Sequence, residues 1–224
     1  MRALLRSVES TMADVIFLQE VSKVALTELL RQPWIEEHWY ASEADCSAFG
    51  KQKVPLPSRF DRDALCCDLL VNSSSGRTLR IRLINVHLDS LPINPSRRPQ
   101  QFALVTAYLS VADRGLIAGD FNPVLPEDAD LVSANELEDA WTSLHPPDPG
   151  FTWGVNGEHT FPPNRLDKVA LVDLKPSNMR VMRTHEVDVD SCTTQQGEGI
   201  LSKSPPHFSD HFGVLCEVEW MEDR

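Results

Sequence analysis

Residues 115–123, with the sequence GLIAGDFNP, decide the fold of this chain. Three consecutive apolar residues closed by a glycine predict a short buried β-strand. Asp120 and Asn122 follow at its carboxyl end, and Pro123 prevents further ladder pairing because proline lacks a backbone N–H. Polar side chains at the mouth of a buried strand are typical of ligand sites in α/β proteins. An Asx-type turn explains the same residues equally well, so matching partners elsewhere in the chain must decide.

The sequence around this strand predicts strands and helices that alternate early, with strands dominating late. We expect strands at residues 14–18, 64–71, 79–88, 168–172, 180–187 and 213–220, and helices at residues 4–12, 24–31, 102–111 and from 140. Pro33 is expected to end the second helix, residues 34–57 to form a loop with one edge strand, and residues 191–206 to form a polar loop. This order favours a layered α/β sandwich.

The composition is that of an ordinary globular domain. The chain has 224 residues, of which 42% are hydrophobic and 24% charged, and no apolar run is long enough to span a bilayer. The first eight residues lack the pattern of a signal peptide. Five cysteines, without a Cys-x-x-Cys pair, argue against a disulfide framework or a zinc site. We therefore expect a reducing compartment, the nucleus or the cytoplasm.

The formal net charge of −12 limits the interactions that this chain can make with nucleic acid. Broad, non-specific adhesion to nucleic acid requires a basic face, which such a balance disfavours. An enzyme that binds one phosphate through a metal ion and a few local cations remains compatible with the charge.

Five short motifs carry polar residues at or near predicted strand ends. They are Leu18-Gln19-Glu20, Asn85-Val86-His87-Leu88-Asp89-Ser90, Gly119-Asp120-Phe121-Asn122, Arg165-Leu166-Asp167-Lys168 and Ser209-Asp210-His211. Each has a structural explanation of its own: Glu20 as a solvated strand end, His87 as a satisfied inward histidine, and Asp167 as an ion-pair partner of a neighbouring cation. Five such coincidences in one chain are improbable, so the set together indicates a functional site.

In this order the motifs resemble the endonuclease/exonuclease/phosphatase superfamily, the relatives of deoxyribonuclease I and the abasic-site endonucleases. Within it the chain looks most similar to the 5′-tyrosyl-DNA phosphodiesterases. The supporting segments are residues 14–21 (DVIFLQEV), 87–90 (HLDS), 139–141 (DAW), 151–153 (FTW) and 208–213 (FSDHFG). The resemblance implies a four-layer α/β sandwich, in which two packed mixed β-sheets are flanked by helices.

The resemblance also implies metal-dependent hydrolysis of a phosphate ester. Glu20 would be a ligand of Mg²⁺ or Mn²⁺, and Asp210 would contact the metal shell. Asp120 would orient and deprotonate the attacking water, and Asn122 would bind the phosphate or fix Asp120. His211 would donate to a non-bridging phosphate oxygen, where charge builds in the transition state. The resemblance leaves open whether Asp120 or His211 acts as the base.

The remaining candidate residues have supporting roles. Asp167 would hold the ring of His211, and His87 and Ser90 would be further phosphate donors. Trp153 would stack on a base or line the leaving-group pocket, with a core tryptophan as the equal alternative. Arg62, together with residues 97 and 98, could contact phosphate, with solvated loop cations as the alternative.

The resemblance therefore implies a magnesium-dependent phosphodiesterase acting on DNA 5′ ends, as in DNA repair. Alternatives are an enzyme of the same superfamily for a small molecule or a lipid headgroup, and a binding domain without catalysis. We expect one domain over residues 1–224, monomeric and without a membrane segment. Members of the superfamily normally open with a strand ending in Trp-Asn, and no such motif precedes residue 14. The region of residues 39–57 is also shorter than the corresponding region of those proteins. We therefore expect an N-terminally incomplete domain lacking the first strand.

Overall fold

The structure is a computed structural model, which describes residues 8–42, 52–73, 76–112, 114–157, 160–183 and 209–220. The helices are α1 (Lys23–Leu30), α2 (Pro33–His38), α3 (Arg98–Leu109) and α4 (Ala140–Leu144). The strands are β1 (Gln52–Pro55), β2 (Asp63–Asn72), β3 (Thr78–His87), β4 (Arg114–Asp120), β5 (Glu138–Asp139), β6 (Asp167–Val172), β7 (Lys175–Met182) and β8 (Gly213–Glu219). Short 3-10 turns cover Pro126–Asp128 and Ser133–Asn135.

The strands form a mixed six-stranded sheet and a second, two-stranded sheet. The order in the first sheet is β1-β2-β3-β4-β6-β5, and β7 pairs with β8 in the second. Strands β3 and β4 are parallel, since α3 connects them as a crossover helix, and the other pairs are antiparallel. The strands predicted at residues 64–71 and 79–88 therefore form a hairpin, and the predicted α/β sandwich is confirmed.

Two apolar clusters bury the two faces of the first sheet. One face packs against α3, with Ile84, Phe102 and Ile117 fully buried. The other face packs against the second sheet and α4, through Leu83, Leu171 and Met179 among others. Because side chains alternate across a strand, every second residue of β3, β4 and β6 points toward the second sheet.

The central strand depends on two glycines where β3 and β4 approach closely. A Cβ built on Gly115 would lie 2.2 Å from the carbonyl oxygen of Arg82, and one on Gly119 would lie 2.1 Å from that of Val86. Gly119 also has a φ of +135°, which side-chain-bearing residues rarely adopt. The glycines therefore allow β3 and β4 to end side by side.

The predicted strand at residues 14–18 is wrong. These residues form no β-ladder in the part of the chain that the structure describes. Phe17 packs against the apolar cluster between the two sheets, while Val15 and Leu18 remain 38% and 37% exposed. Of the predicted first helix at residues 4–12, the structure describes residues 8–12, of which 8–10 are helical and 11–12 form a turn.

Several boundaries also differ from the sequence prediction. Helix α1 ends at Leu30, before Pro33 as expected, but Pro33 then begins α2 in residues expected to form a loop, because proline is tolerated in the first helical turn. Helix α3 begins at Arg98, which is 1% exposed and pairs with Asp128 at 2.7 Å instead of being a solvated loop cation. Strand β7 begins at Lys175, earlier than expected, while residues 184–187 and the loop at 191–206 lie outside the described residues.

Among the residues that the structure describes, we find no helix with the length and apolar character needed to cross a bilayer.

Candidate active site

Three strands of the large sheet deliver a polar side chain to the same edge. His87 ends β3 opposite Asp120, which ends β4, and Asp120 in turn lies opposite Asp167 at the start of β6. All three continue the alternation that directs Leu83, Leu116 and other apolar residues toward the second sheet. The edge of the sheet therefore gathers one imidazole and two carboxylates on a single face.

Asp120 is buried and held on both of its oxygens by Asn122. The backbone N–H of Asn122 donates to Oδ1 at 2.9 Å, and its side-chain amide donates to Oδ2 at 2.8 Å. Asn122 adopts a left-handed φ of 48° and also donates to the carbonyl of Leu88 at 3.3 Å. The predicted Asx-type turn is thus present, and the same turn fixes the orientation of the carboxylate.

Burial and the neighbouring Asp167 raise the pKa of Asp120 to about 7. Burial acts most strongly because the charged form loses hydration, and the like charge of Asp167 adds to it. His211 and the amide of Asn122 oppose the shift. A carboxyl with this pKa exchanges its proton near neutral pH.

His211 and Asp167 form a hydrogen-bonded pair. The Nδ1 of His211 lies 2.8 Å from Oδ2 of Asp167. Burial disfavours the imidazolium, but the hydrogen bond and charge of Asp167, together with Asp120 and Asp210, outweigh it and raise the pKa of His211 to about 9. The pair therefore holds a protonated ring in a fixed orientation at neutral pH.

The cations beside Asp167 in the sequence do not pair with it. Arg165 contacts Asp139 at 2.7 Å, and Lys168 contacts the other oxygen of Asp139 at 3.4 Å. The alternative that Asp167 serves as their ion-pair partner is wrong, because Lys168 points to the opposite face of β6. Asp167 therefore pairs with His211 and not with these cations.

Thr152 connects the two members of this pair, and the sequence analysis assigned it no role. Its hydroxyl oxygen accepts hydrogen bonds from the backbone N–H groups of Leu166 and Asp167, both at 3.1 Å. Its carbonyl accepts from the N–H of Phe212 at 2.7 Å, next to His211. Thr152 is only 1% exposed. The sequence signal for Thr152 was its position inside the supporting segment at residues 151–153.

His87 lies between Asp120 and the outer part of the site. Its Nε2 is 3.3 Å from Oδ2 of Asp120 and 3.5 Å from the hydroxyl of Ser90. Burial, followed by the charges of Arg62 and His211, lowers the pKa of His87 to about 4. The ring is therefore neutral at pH 7, in contrast to His211.

Glu20 and Arg62 complete the outer part. The Oε1 atom of Glu20 lies 3.8 Å from both Nη2 of Arg62 and Nδ1 of His87. The same Arg62 nitrogen donates to Ser90 at 3.1 Å. The side chain of Glu20 is 70% exposed, so its carboxylate faces the solvent side of the cleft.

Trp153 and Asp210 form the rim beside His211. The indole N–H of Trp153 donates to Oδ2 of Asp210 at 3.1 Å, and its backbone bridges to His211 and Asn164. Trp153 is half-buried, so it lines the rim and is not a core tryptophan. Asp210 is thereby oriented next to His211.

The site has donors that fit a divalent cation. The ligand atoms of Asp120, Asp167 and His211 lie within 4.8 Å of one another, and because the His211 ring is protonated at neutral pH, the two carboxylates are the members able to bind a cation. Two carboxylates this close repel each other, which is visible in the raised pKa of Asp120. A divalent cation would offset that repulsion, and oxygen donors are those that Mg²⁺ prefers.

The structure thus brings the sequence-predicted residues into one connected cluster. The members linked to one another by the contacts above are Glu20, Arg62, His87, Ser90, Asp120, Asn122, Trp153, Asp167, Asp210 and His211. Besides Thr152, two further residues received no individual role from the sequence. Gln19 donates to Oδ1 of Asn85 at 2.7 Å, and both lie beside the cluster.

Comparison with known proteins identifies the fold. No family model matches the sequence, and no curated protein matches it either. The structure is similar to that of D. rerio TDP2 humanized by 14 mutations, with 16% identity, coverage of 97% of this chain and 90% of that one, and a TM-score of 0.68.

Two further solved structures show the range of the likeness. D. rerio TDP2 complexed with single-strand DNA product has 17% identity, coverage of 97% and 90%, and a TM-score of 0.65. The mannosyl-6-phosphatase of Bacteroides thetaiotaomicron has 15% identity, coverage of 79% and 67%, and a TM-score of 0.51. The chain therefore has the endonuclease/exonuclease/phosphatase fold, close to that of TDP2.

Proposed function

We propose that this chain, whose fold is that of the endonuclease/exonuclease/phosphatase superfamily, is a magnesium-dependent phosphodiesterase that acts on DNA 5′ ends and releases 5′-linked tyrosyl groups. One observation carries the proposal. The buried Asp120 and the His211–Asp167 pair converge at one edge of the sheet, with ligand atoms within 4.8 Å. These are the group types that phosphate-ester hydrolysis requires.

Asp120 is the proposed base. Its two hydrogen bonds from Asn122 fix the carboxylate, so an attacking water would meet it in one orientation. A pKa of about 7 lets the carboxylate accept the proton of that water near neutral pH. The new P–O bond forms to the water oxygen while the ester P–O bond breaks and the leaving oxygen takes a proton.

His211 is the proposed donor to a non-bridging phosphate oxygen. Its pKa of about 9 keeps the ring protonated when Asp120 is ionised, so the acid and base forms coexist between about pH 7 and pH 9. Asp167 keeps the ring oriented. Arg62, the neutral His87 and Ser90 would add donors on the other side of the phosphate.

Glu20 would hold Mg²⁺, and Asp120 and Asp210 would be further carboxylates of the site. When bound, the cation would neutralise the phosphate charge and stabilise the leaving oxygen. The exposed carboxylate of Glu20 is a hard oxygen donor, and Mg²⁺ in proteins needs only one or two carboxylates. The domain that carries this site would span residues 1–224.

Two observations support a DNA substrate: the likeness to a TDP2 structure holding single-strand DNA product, and the half-buried Trp153 at the rim. The test is to incubate the protein with Mg²⁺ and an oligonucleotide carrying a 5′-phosphotyrosyl group. We expect release of tyrosine, with Asp120→Asn as the inactive control. Turnover no higher than that of the control would refute the proposal.

A second candidate is a phosphatase or phosphodiesterase for a small molecule or a lipid headgroup. The net charge of −12 favours it, and so does the likeness to a mannosyl-6-phosphatase. Hydrolysis of a chromogenic diester, combined with weak binding of single-stranded oligonucleotides at low salt, would favour this candidate. Tight oligonucleotide binding that weakens steeply with salt would favour DNA.

A further inference from the structure

The segment that carries Glu20 is attached to the sheet in an unusual way. Residues 13–20 form no β-ladder with any described strand, so backbone pairing does not fix their position. Glu20 itself has a left-handed φ of 53°, and its side chain is 70% exposed. Burial therefore does not hold the carboxylate in place either.

The direct contacts of the Glu20 carboxylate are too long to fix it. Its Oε1 is 3.8 Å from Arg62 and 3.8 Å from His87, beyond the range of a hydrogen bond. Ion pairs of an exposed carboxylate at such distances contribute little. The residues just before Glu20 do make short hydrogen bonds to the sheet.

Asn85 holds this segment in position by accepting one hydrogen bond and donating another. The side-chain amide of Gln19 donates to Oδ1 of Asn85 at 2.7 Å, and Nδ2 of Asn85 donates to the carbonyl of Leu18 at 3.1 Å. Asn85 lies on β3, two residues before His87 and on the same face. We call Gln19 and Asn85 the clasp. The clasp joins residues 13–20 to β3, the strand that also supplies His87 to the site.

Gly119 makes room for the same clasp. A Cβ at this position would lie 3.1 Å from Nε2 of Gln19, which is closer than most real contacts of a Cβ. The Gln19 amide thus fits against the ends of β3 and β4, immediately before Asp120. The clasp therefore lies next to the strand ends that carry His87 and Asp120.

We infer that Asn85 and Gln19 are positioning residues that place the carboxylate of Glu20 for the divalent cation. The inference rests on the proposed function, since it assumes that Glu20 is a metal ligand. Both polar atoms of the Asn85 side chain are engaged by this segment, Oδ1 by Gln19 and Nδ2 by Leu18. It acts through the backbone of Leu18 and the side chain of Gln19, one residue from the ligand.

The test measures Mg²⁺ binding by titration calorimetry in wild type, Asn85→Ala, Gln19→Ala and Glu20→Gln. We expect Asn85→Ala and Gln19→Ala each to weaken Mg²⁺ binding by about tenfold, the lower end of what loss of a supporting residue costs a metal site. Asn178→Ala is the matched control: Asn178 also bonds across strands, at 3.1 Å to Glu217, but in the second sheet. It should bind Mg²⁺ as wild type does.

Hydrogen exchange supplies a local readout that a general loss of stability would not reproduce. In Asn85→Ala we expect faster exchange to be confined to residues 14–21, because the clasp supplies the hydrogen bonds that join this segment to β3, while the packing of Phe17 is left unchanged. In the Glu20→Gln background, Asn85→Ala should have no further effect on Mg²⁺ binding. Equal weakening by Asn85→Ala in both backgrounds would show a merely structural role and overturn the inference.

The outcomes separate this inference from the function on which it rests. If wild type binds Mg²⁺, Glu20→Gln binds it measurably more weakly, and both clasp variants bind as tightly as wild type, the inference alone is wrong. If wild type binds no Mg²⁺, or Glu20→Gln binds it equally well, the proposed metal site fails and the inference fails with it.

Discussion

The replacement of Thr152 by valine tests how the candidate site is held together. Valine has nearly the same shape as threonine but cannot accept a hydrogen bond. The hydroxyl of Thr152 is the acceptor for the N–H groups of Leu166 and Asp167, at 3.1 Å each. Since Thr152 is 1% exposed, solvent cannot replace it without local opening.

The expected loss follows from these two amides. A buried donor left without a partner costs about 1–3 kcal/mol, and some relaxation of the loop is expected, so Thr152→Val should lower the free energy of unfolding by about 2–4 kcal/mol. For a domain of this size that corresponds to a fall in Tm of roughly 5–15 °C. Because Asp167 also orients His211, the variant should lose activity below its Tm as well.

Calorimetry or thermal unfolding followed by circular dichroism measures the change, with Thr106→Val as the matched control. Thr106 lies in α3, and its buried hydroxyl has no hydrogen-bond partner among the described residues. Its replacement should leave the Tm within about 2 °C of wild type. A Thr152→Val variant as stable as Thr106→Val would refute the role given to the Thr152 hydroxyl.

Three further predictions concern charge and packing at the site. Asp167→Asn should lower the pKa of His211 from about 9 toward its ordinary 6.5. In wild type the pair stabilises the fold fully below pH 6.5, and this stabilisation is lost as the pH rises through 9. An NMR titration in which Asp167→Asn leaves the pKa of His211 unchanged would contradict the pairing. The affinity for Mg²⁺ should rise with pH up to about 7 and then stay constant, because protons compete with the cation for Asp120. Calorimetry should show that the Mg²⁺ affinity of Asp120→Asn depends less on pH than that of wild type. The same pH dependence in both proteins would argue against that competition. Gly119→Ala should cost about 4 kcal/mol or more, because its Cβ would meet the Val86 carbonyl, and a wild-type Tm would show that β3 and β4 can separate.

The sequence could predict the central part of the fold because its signals there are local. The apolar run before Asp120 and the alternation along β3 predicted buried strands, and the structure has them at nearly the expected residues. The same regularity explains why polar residues at the strand ends could be expected to meet. Strand ends that share a sheet edge are brought together by the ladder register.

Other features depend on tertiary partners that no local pattern reveals. Residues 14–18 have the composition of a strand, but strand formation needs a neighbour to pair with. Arg98 looks like a loop cation, yet Asp128, thirty residues away, lets it be buried at the start of α3. The roles of Thr152 and Asn85 depend likewise on backbone groups far away in the sequence, so their residue types alone could not predict them.

The central claim is that the cluster around Asp120 and His211 hydrolyses phosphate esters with the help of a divalent cation. Its most direct test is the hydrolysis of a chromogenic phosphodiester, measured with Mg²⁺, with excess EDTA, and for His211→Ala. The account predicts turnover that disappears with EDTA and falls by about 10²-fold or more in His211→Ala. Turnover that persists in EDTA, or that is equal in wild type and His211→Ala, would contradict it.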